Sequence, residues 1–184
     1  MALIPPVQPM LAKACSELPP ARALPGGVAF EQKPDGYRAL LFADLEGVLL
    51  QSRNGASLTA SFPEIAAAGR ALPVPLVLDG ELVVAHEGRL DFGRLQVRAR
   101  RRGTGARLAA KEVPAHLIVF DVLDTADGAL LNEPYRDRRG LLEELFADGV
   151  LANRSCSARP RPTGRPRRTG STPPGALPAS RASS

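Results

Sequence analysis

The alternation of apolar and polar positions along the first 150 residues predicts strands interleaved with helices. Apolar runs bounded by turn residues indicate strands at residues 28–32, 37–43, 47–52, 76–85 and 116–123. Helical spacing predicts helices at residues 62–71, 90–97 and 136–146, and residues 98–105 are expected to form a basic loop. Because short turns join successive strands, we predict an α+β fold with antiparallel sheets and packed helices.

The chain changes character after residue 152. Residues 153–184 contain seven arginines and no acidic residue, and the rest is mainly Pro, Ser, Thr, Gly and Ala. Such a composition cannot bury enough apolar surface to offset chain entropy, so we predict a disordered Arg/Pro-rich tail. Three origins stay open: an arm that grips nucleic acid, a plain extension, or a high-GC gene read out of frame.

Charge and composition narrow the class of protein. The net charge of +5 comes from the tail, because residues 1–152 alone carry −2. No apolar run reaches the ~18 residues of a membrane span, and the N-terminus lacks the basic region and apolar core of a secretory signal. Cys15 and Cys156 have no metal-ligand spacing. We therefore predict one cytoplasmic domain with free thiols and no membrane contact.

Lys33 is the candidate reactive group. It is one of only three lysines in a chain whose other basic residues are arginines. Arginine stays protonated at working pH, whereas a lysine amine can be deprotonated and act as a nucleophile. Lys33 also stands where an apolar run meets Pro34-Asp35-Gly36, a sequence typical of a turn.

The residues around Lys33 carry a family signature. Lys33-Pro34-Asp35-Gly36-Tyr37-Arg38 fits the Lys-x-Asp-Gly-x-Arg motif of covalent nucleotidyltransferases. Six further pieces complete the pattern: Pro9-Met10-Leu11-Ala12, Phe30-Glu31-Gln32, Ser52-Arg53-Asn54-Gly55, Phe62-Pro63-Glu64, Asp79-Gly80-Glu81, and the strand His116 to Asp121. Over residues 1–152 the chain resembles the adenylation domain of an ATP-dependent DNA ligase, of the bacterial type involved in end-joining repair.

That resemblance implies an ATP-grasp-like nucleotidyltransferase fold and a stepwise reaction. Lys33 would attack the α-phosphorus of ATP, expel pyrophosphate and hold AMP as a phosphoramidate. AMP would then pass to a 5′-phosphate in DNA. The implied cofactors are ATP and Mg²⁺. The implied partners are nicked or broken double-stranded DNA and end-joining repair proteins.

The resemblance also assigns the surroundings of Lys33. The implied nucleotide-binding residues are Glu31, at the adenine edge; Asp35, orienting the amine or holding metal; Gly36, allowing close approach; Arg38 and Arg53, contacting phosphate or sugar; Glu81, binding the ribose or Mg²⁺; and Phe120, stacking on adenine. Simpler interpretations stay open for several positions. Phe120 could pack in the core, Arg53 could pair with a surface acid, Asp79 could be structural, and Asp121 and Asp124 could cap their strand. Arg98, Arg100, Arg101 and Arg102 could follow a DNA backbone or simply be solvated.

Later parts of the family pattern are missing. The family continues with a Glu-Gly strand carrying a lysine, a Lys-x-Lys strand and an OB-fold domain. No lysine follows Lys111, and residues 148–152 echo only the Glu-Gly piece. We therefore expect a partial adenylation domain without an OB-fold domain, truncated or frame-shifted. The alternatives are an inactive remnant that at most binds ATP or DNA and, less favoured by the motifs, an RNA ligase or a capping guanylyltransferase.

Overall fold

A computed structural model describes residues 3–10 and 33–151, together with Glu17, Pro19, Pro20, Ala23 and Ala29. The strand predicted at residues 28–32 and the tail predicted at residues 153–184 lie outside the described residues. Within them, no helix has the length and apolar character needed to cross a membrane.

Most of the strands form one antiparallel sheet. In chain order the strands are β1 (Tyr37–Ala43), β2 (Val48–Ser52), β3 (Leu76–His86), β4 (Arg89–Leu90), β5 (Ala115–Thr125) and β6 (Gly128–Ala129). The order across the sheet is β2-β1-β3-β5-β6, and β4 pairs with the end of β3. Every pair is antiparallel, which confirms the predicted sheet type.

A hairpin joins β1 and β2. The Asp44 side chain accepts hydrogen bonds from the backbone N–H groups of Glu46 and Gly47, and Asp44 N–H donates to the Gly47 carbonyl at 3.0 Å. An aspartate at the start of a turn commonly forms such bonds to its own loop. The hairpin fixes the register of β2 against β1.

In the part of the chain that the structure describes, four helices pack around the sheet: α1 (Pro63–Arg70), α2 (Phe92–Ala99), α3 (Gly103–Glu112) and α4 (Tyr135–Ala147). Their inward residues Ile65, Leu95 and Leu142 join one large core cluster on the sheet. The opposite face carries a smaller cluster of Leu40, Phe42, Val77 and Leu123. The N-terminal segment packs on that smaller cluster through Leu3 and Val7, so both faces of the central strands are buried.

One sequence prediction is wrong in this region. Arg98 belongs to α2, and residues 103–112 form α3, so the predicted loop at residues 98–105 is largely helical. Gly103 and Gly105 made this segment look like a loop, because glycine is unfavourable in helices. In the structure the helix buries Ala106 and Ala109 in the core. Packing of small side chains thus outweighs the low helix propensity of glycine.

The segment after α4 also differs from its sequence interpretation. Residues 148–151 end the helix as a turn and do not form the strand that the Glu-Gly echo suggested. Gly149 N–H donates to the Phe146 carbonyl and Leu151 N–H donates to the Leu145 carbonyl. Leu151 is buried in the core cluster, so this turn anchors the end of α4.

Gly80 marks an unusually close approach between β3 and β5. A Cβ at this position would lie 2.6 Å from the Ile118 carbonyl oxygen and 2.9 Å from a Leu117 side-chain carbon. The strand pairing shifts register next to this glycine. Only a residue without a side chain fits this contact.

Replacing Gly80 with alanine is expected to lower the free energy of unfolding by about 3 kcal/mol, because the strands must separate to admit the methyl group. Urea unfolding followed by far-UV circular dichroism measures this change. Gly47→Ala is the matched control, since nothing lies within 4 Å of a Cβ there. Equal stabilities of the two variants would contradict the close contact.

Candidate active site

One face of the sheet gathers the charged side chains of the candidate site. The register places Arg38 of β1 opposite Glu81 of β3, and Asp79 of β3 opposite Asp121 of β5. Directly paired residues in antiparallel strands project to the same face, as do residues two apart on one strand. Arg38, Asp79, Glu81 and Asp121 therefore share one face of three adjacent strands.

A β-bulge adds the aromatic ring. Gly80 pairs with Val119 and Asp79 pairs with Asp121, so Phe120 between them is an extra residue without a cross-strand partner. A bulge places two consecutive residues opposite one and can redirect a side chain, often beside active sites. Here it brings both Phe120 and Asp121 to the face that holds Arg38.

Arg38 is fixed by contacts within this face. Its Nε donates to Asp79 Oδ1 at 2.5 Å, and its Nη2 donates to Asp79 Oδ2 at 2.6 Å and to the Met10 carbonyl at 3.2 Å. The guanidinium carbon lies 4.2 Å from the centre of the Phe120 ring. Asp79 and the Met10 carbonyl therefore engage Nε and Nη2 of Arg38. Asp79 has the structural role that the sequence left open, because it holds the Arg38 guanidinium in place.

The two carboxylates of β3 differ in environment. Burial raises the pKa of Asp79 to about 6, even though the bonds from Arg38 lower it. Burial also raises the pKa of Glu81. The positive charges of Lys33 and Arg38 lower this pKa, and the negative charges of Asp79 and Asp35 raise it. Glu81 thus lies within the electrostatic influence of Lys33, Asp35 and Arg38.

Lys33 lies exposed just before β1. Asp35 and Gly36 form a bend, so Lys33 and Asp35 do not belong to an extended strand. Gly36 packs so closely on β3 that a Cβ would overlap the Leu82 carbonyl oxygen and lie 2.8 Å from Glu81 Cγ. This contact holds the loop that bears Lys33 beside Glu81, and a larger residue would push the loop away.

The other two predicted residues have different outcomes. Arg53 is exposed in the turn after β2, and its backbone N–H donates to the Arg38 carbonyl at 3.1 Å. The hairpin therefore carries Arg53 to the same end of β1 as Arg38. Glu31, predicted at the adenine edge, lies outside the described residues.

Comparison with known proteins identifies the family. The sequence model described as "ATP dependent DNA ligase domain" matches residues 9–158, which is most of the chain. The chain belongs to the family of ATP-dependent DNA ligase domains. The recognition made from the Lys33 motif and the pieces that accompany it is thereby confirmed.

Bacterial DNA ligases are among the relatives of this ligase-family domain. It is 44% identical over 157 residues to DNA ligase C1 of Mycolicibacterium smegmatis, which covers 83% of this chain and 43% of that protein. It is 36% identical over 130 residues to the bifunctional non-homologous end joining protein LigD of Bacillus subtilis, covering 66% of this chain and 21% of that protein. The chain spans about two fifths of the length of the ligase C relatives that it matches.

A solved structure supports the predicted fold. The ligase-family domain superposes on mycobacterial DNA ligase D complexed with ATP and MES with a TM-score of 0.52 and 37% sequence identity. The superposition covers 64% of this chain and 36% of that one. The α+β nucleotidyltransferase fold is therefore confirmed over the shared part.

The donors available for a metal ion are few. Among the described residues, no group of three or more His, Cys, Asp or Glu side chains is arranged to hold a metal. Mg²⁺ commonly takes only one or two protein carboxylates and fills its other positions with phosphate oxygens and water. Glu81, with Asp35 within its electrostatic reach, fits that mode and does not fit an all-protein cage.

Sequence reasoning missed three residues of the surrounding framework. Asp121 was interpreted only as a strand cap, yet it forms a buried ion pair with Arg138 of α4 at 2.8 Å. Arg98 was grouped with exposed arginines, yet it is 2% exposed and bonded to Glu64. An arginine within an apolar helical face was the signal available for Arg98, and no local signal marked Arg138.

Proposed function

We propose that this domain performs the adenylylation step of ATP-dependent DNA ligation, with Lys33 as the acceptor of AMP. The observation that carries the proposal is the position of Arg38 opposite Glu81 and over the Phe120 ring, with the loop that bears Lys33 and Asp35 packed against Glu81 through Gly36. A nucleotide requires such a combination of a cationic group, a carboxylate and an aromatic surface. Membership of the ligase family and the mycobacterial relative bound to ATP support ATP as the nucleotide.

In this mechanism Lys33 Nζ forms a bond to the α-phosphorus of ATP. The bond from that phosphorus to the bridging oxygen of the β-phosphate breaks, pyrophosphate leaves, and the amine proton passes to solvent. Transfer of AMP to the 5′-phosphate of a DNA break would follow, and attack by the 3′-hydroxyl would release AMP and seal the strand. The protein contributes mainly position and charge, as is usual in phosphoryl transfer.

The other side chains of the candidate site each have a role in the proposed reaction. Phe120 offers a ring face on which adenine stacks, and Glu81 accepts a hydrogen bond from the ribose hydroxyl or holds Mg²⁺ with Asp35. Arg53, at the open end of β1, contacts the nucleotide or the DNA phosphate. A bound Mg²⁺ would supply neutralisation of phosphate charge.

The broader proposal is sealing of nicked or broken double-stranded DNA in bacterial end joining. The end-joining name of the Bacillus subtilis relative supports this context, and repair proteins of that process are the proposed partners. The competing proposal is a domain that binds ATP without sealing DNA.

Labelling with ATP tests the proposal. The full chain is incubated with Mg²⁺ and ATP labelled either at the α- or at the γ-phosphate, then denatured, and the modified peptide is mapped by mass spectrometry. We expect covalent label from the α-position only, on the peptide that contains Lys33. Label from the γ-position, or no covalent label, would refute adenylylation.

A nicked duplex then separates the two functional proposals. Addition of DNA with a 5′-phosphate at the nick should discharge the label and produce a sealed strand, whereas a nick with a 5′-hydroxyl should do neither. Retention of the adduct with both substrates would support nucleotide transfer to Lys33 without ligation and exclude strand sealing by this chain alone.

A further inference from the structure

Two buried ion pairs lie side by side in the sheet. Arg38 bonds to both oxygens of Asp79, and Arg138 bonds to both oxygens of Asp121, with Nε to Oδ1 at 2.9 Å and Nη2 to Oδ2 at 2.8 Å. Asp79 and Asp121 are direct cross-strand partners. Their side chains are 2% and 9% exposed, so water screens neither charge effectively.

These four side chains form one electrostatic network. Asp79 experiences the charges of both Arg38 and Asp121, and Arg138 experiences those of both Asp121 and Asp79. Like charges placed directly opposite in a sheet repel each other unless each is neutralised. Arg138 supplies that neutralisation for Asp121, and it is anchored in turn by a 2.5 Å bond from Nη1 to the Glu133 carbonyl.

The Arg38–Asp79 pair of this network lies against the Phe120 ring. Asp79 holds the Arg38 guanidinium 4.2 Å from the ring centre, so one face of Phe120 is covered by a cation. A base can then stack only on the opposite face. The bulge places Phe120 and Asp121 on the same side of β5. A change in the position of Asp121 would therefore also affect the Phe120 ring.

We propose that Arg138, a residue of α4 outside the nucleotide-binding residues, is a positioning residue for the Phe120 ring. It neutralises Asp121, which leaves Asp79 free to hold Arg38 against the covered face of Phe120. This inference rests on the proposed function as far as the base on the opposite face is concerned. The placement of Arg38 itself rests only on the contacts described above.

Loss of Arg138 should disturb Arg38 although the two arginines lie on different elements. In Arg138→Met, Asp121 loses both of its guanidinium bonds. A charged Asp121 would draw Arg38 toward itself, and a protonated Asp121 would donate a hydrogen bond to Asp79. Both outcomes weaken the hold of Asp79 on Arg38. Asp121→Asn should leave Arg38 on Asp79, because it removes the carboxylate that would compete with Asp79 for Arg38.

The Nε–Hε resonance of Arg38 in ¹⁵N-labelled full chain reports this placement without any ligand. It is assigned by its loss in Arg38→Lys, and a guanidinium over a ring should show an upfield ring-current shift and slow exchange. We expect Arg138→Met to reduce both features, and Asp121→Asn and the double variant Arg138→Met/Asp121→Asn to keep them. An unchanged Arg38 resonance in Arg138→Met would overturn the inference.

Nucleotide affinity gives the second readout. Isothermal titration with ATP and Mg²⁺ should show binding weakened roughly tenfold in Arg138→Met, within the range of coupling in one charge network. Arg136→Met on the exposed side of α4 is the charge control, and Leu142→Ala on its buried side is the stability control. Affinity that follows the melting temperature across all variants would indicate a merely structural role and refute the inference.

Two further outcomes are decisive. Should Arg138→Met fail to fold, Arg138→Lys replaces it, because lysine keeps the charge but cannot form both bonds to Asp121. An intermediate shift of the Arg38 resonance in Arg138→Lys would support the inference, and no shift would refute it. Should the unchanged chain bind no ATP, the proposed function fails, whereas the Arg38 resonance still decides the role of Arg138.

Discussion

Replacing Lys33 with arginine is expected to abolish covalent labelling of the chain by α-labelled ATP. Arginine keeps the positive charge and much of the length of lysine, so attraction of the phosphates is retained. However, on the order of one guanidinium in ten thousand or fewer is neutral near pH 8, so the group cannot act as a nucleophile. The variant thereby separates the nucleophile from the charge. Denaturing electrophoresis of the labelled protein measures the loss.

Lys111→Arg is the matched control. Lys111 is exposed in the last turn of α3, and no ligase motif includes it. Its replacement should leave labelling within about twofold, the variation expected for surface changes away from the site. Persistent labelling of Lys33→Arg, with the adduct mapped to Lys111 or Lys13, would show that Lys33 is not the acceptor.

Replacing Arg98 with methionine is expected to be the most destabilising single change in the helical layer. Arg98 is 2% exposed, and it donates to the Val113 and Ser61 carbonyls at 3.1 Å and to Glu64 Oε1 at 2.5 Å. The same Glu64 oxygen accepts the Ala115 N–H at 3.0 Å. One guanidinium therefore connects α1, α2, the end of α3 and the start of β5.

The expected cost of Arg98→Met is about 3–5 kcal/mol, because removal of one partner leaves a buried carboxylate without its cation. Glu64 Oε2 already has no hydrogen-bond partner among the described residues, so the Ala115 N–H at Oε1 would be the one hydrogen bond left to the carboxylate there. For a domain of this size the melting temperature should fall by roughly 10 °C. Differential scanning calorimetry and urea unfolding measure the two quantities.

A double-mutant cycle assigns this cost to the buried charge. Arg98→Met/Glu64→Gln should lose about 1–3 kcal/mol less than the sum of the two single variants, since the amide has no charge to leave unpaired. Arg101→Met is the control, because Arg101 is exposed on the following turn. A melting temperature for Arg98→Met close to that of Arg101→Met would contradict the proposed role of the pair.

Much of the fold follows from local pattern. The strand predicted at residues 37–43 has the observed limits of β1, and the helix predicted at residues 136–146 lies within α4, which spans Tyr135–Ala147. Those segments combine strong periodicity with clear turn or proline signals at their ends. α3 was missed because its two glycines are locally unfavourable for a helix, and only the packing of Ala106 and Ala109 stabilises it there.

The candidate site divides in the same way. Lys33, Glu81 and Phe120 could be named from the sequence because the ligase signature fixes their order and spacing. The Arg38–Asp79 pair could not, because an arginine in a motif has several possible acceptors and the sequence does not rank them. Nor could the bulge at Phe120, which arises from the close approach of β3 and β5 at Gly80.

The sequence by itself determined the family, the order of the main strands and helices, and the identity of the lysine that we propose as the AMP acceptor. These depend on short-range patterns that each segment carries alone. The tertiary structure decided which charges are buried and which pairs neutralise them: Arg38 with Asp79, Arg138 with Asp121, and Arg98 with Glu64. The physical reason is that an ion pair is selected by strand register and helix packing between residues 17 to 41 positions apart, which no local pattern specifies.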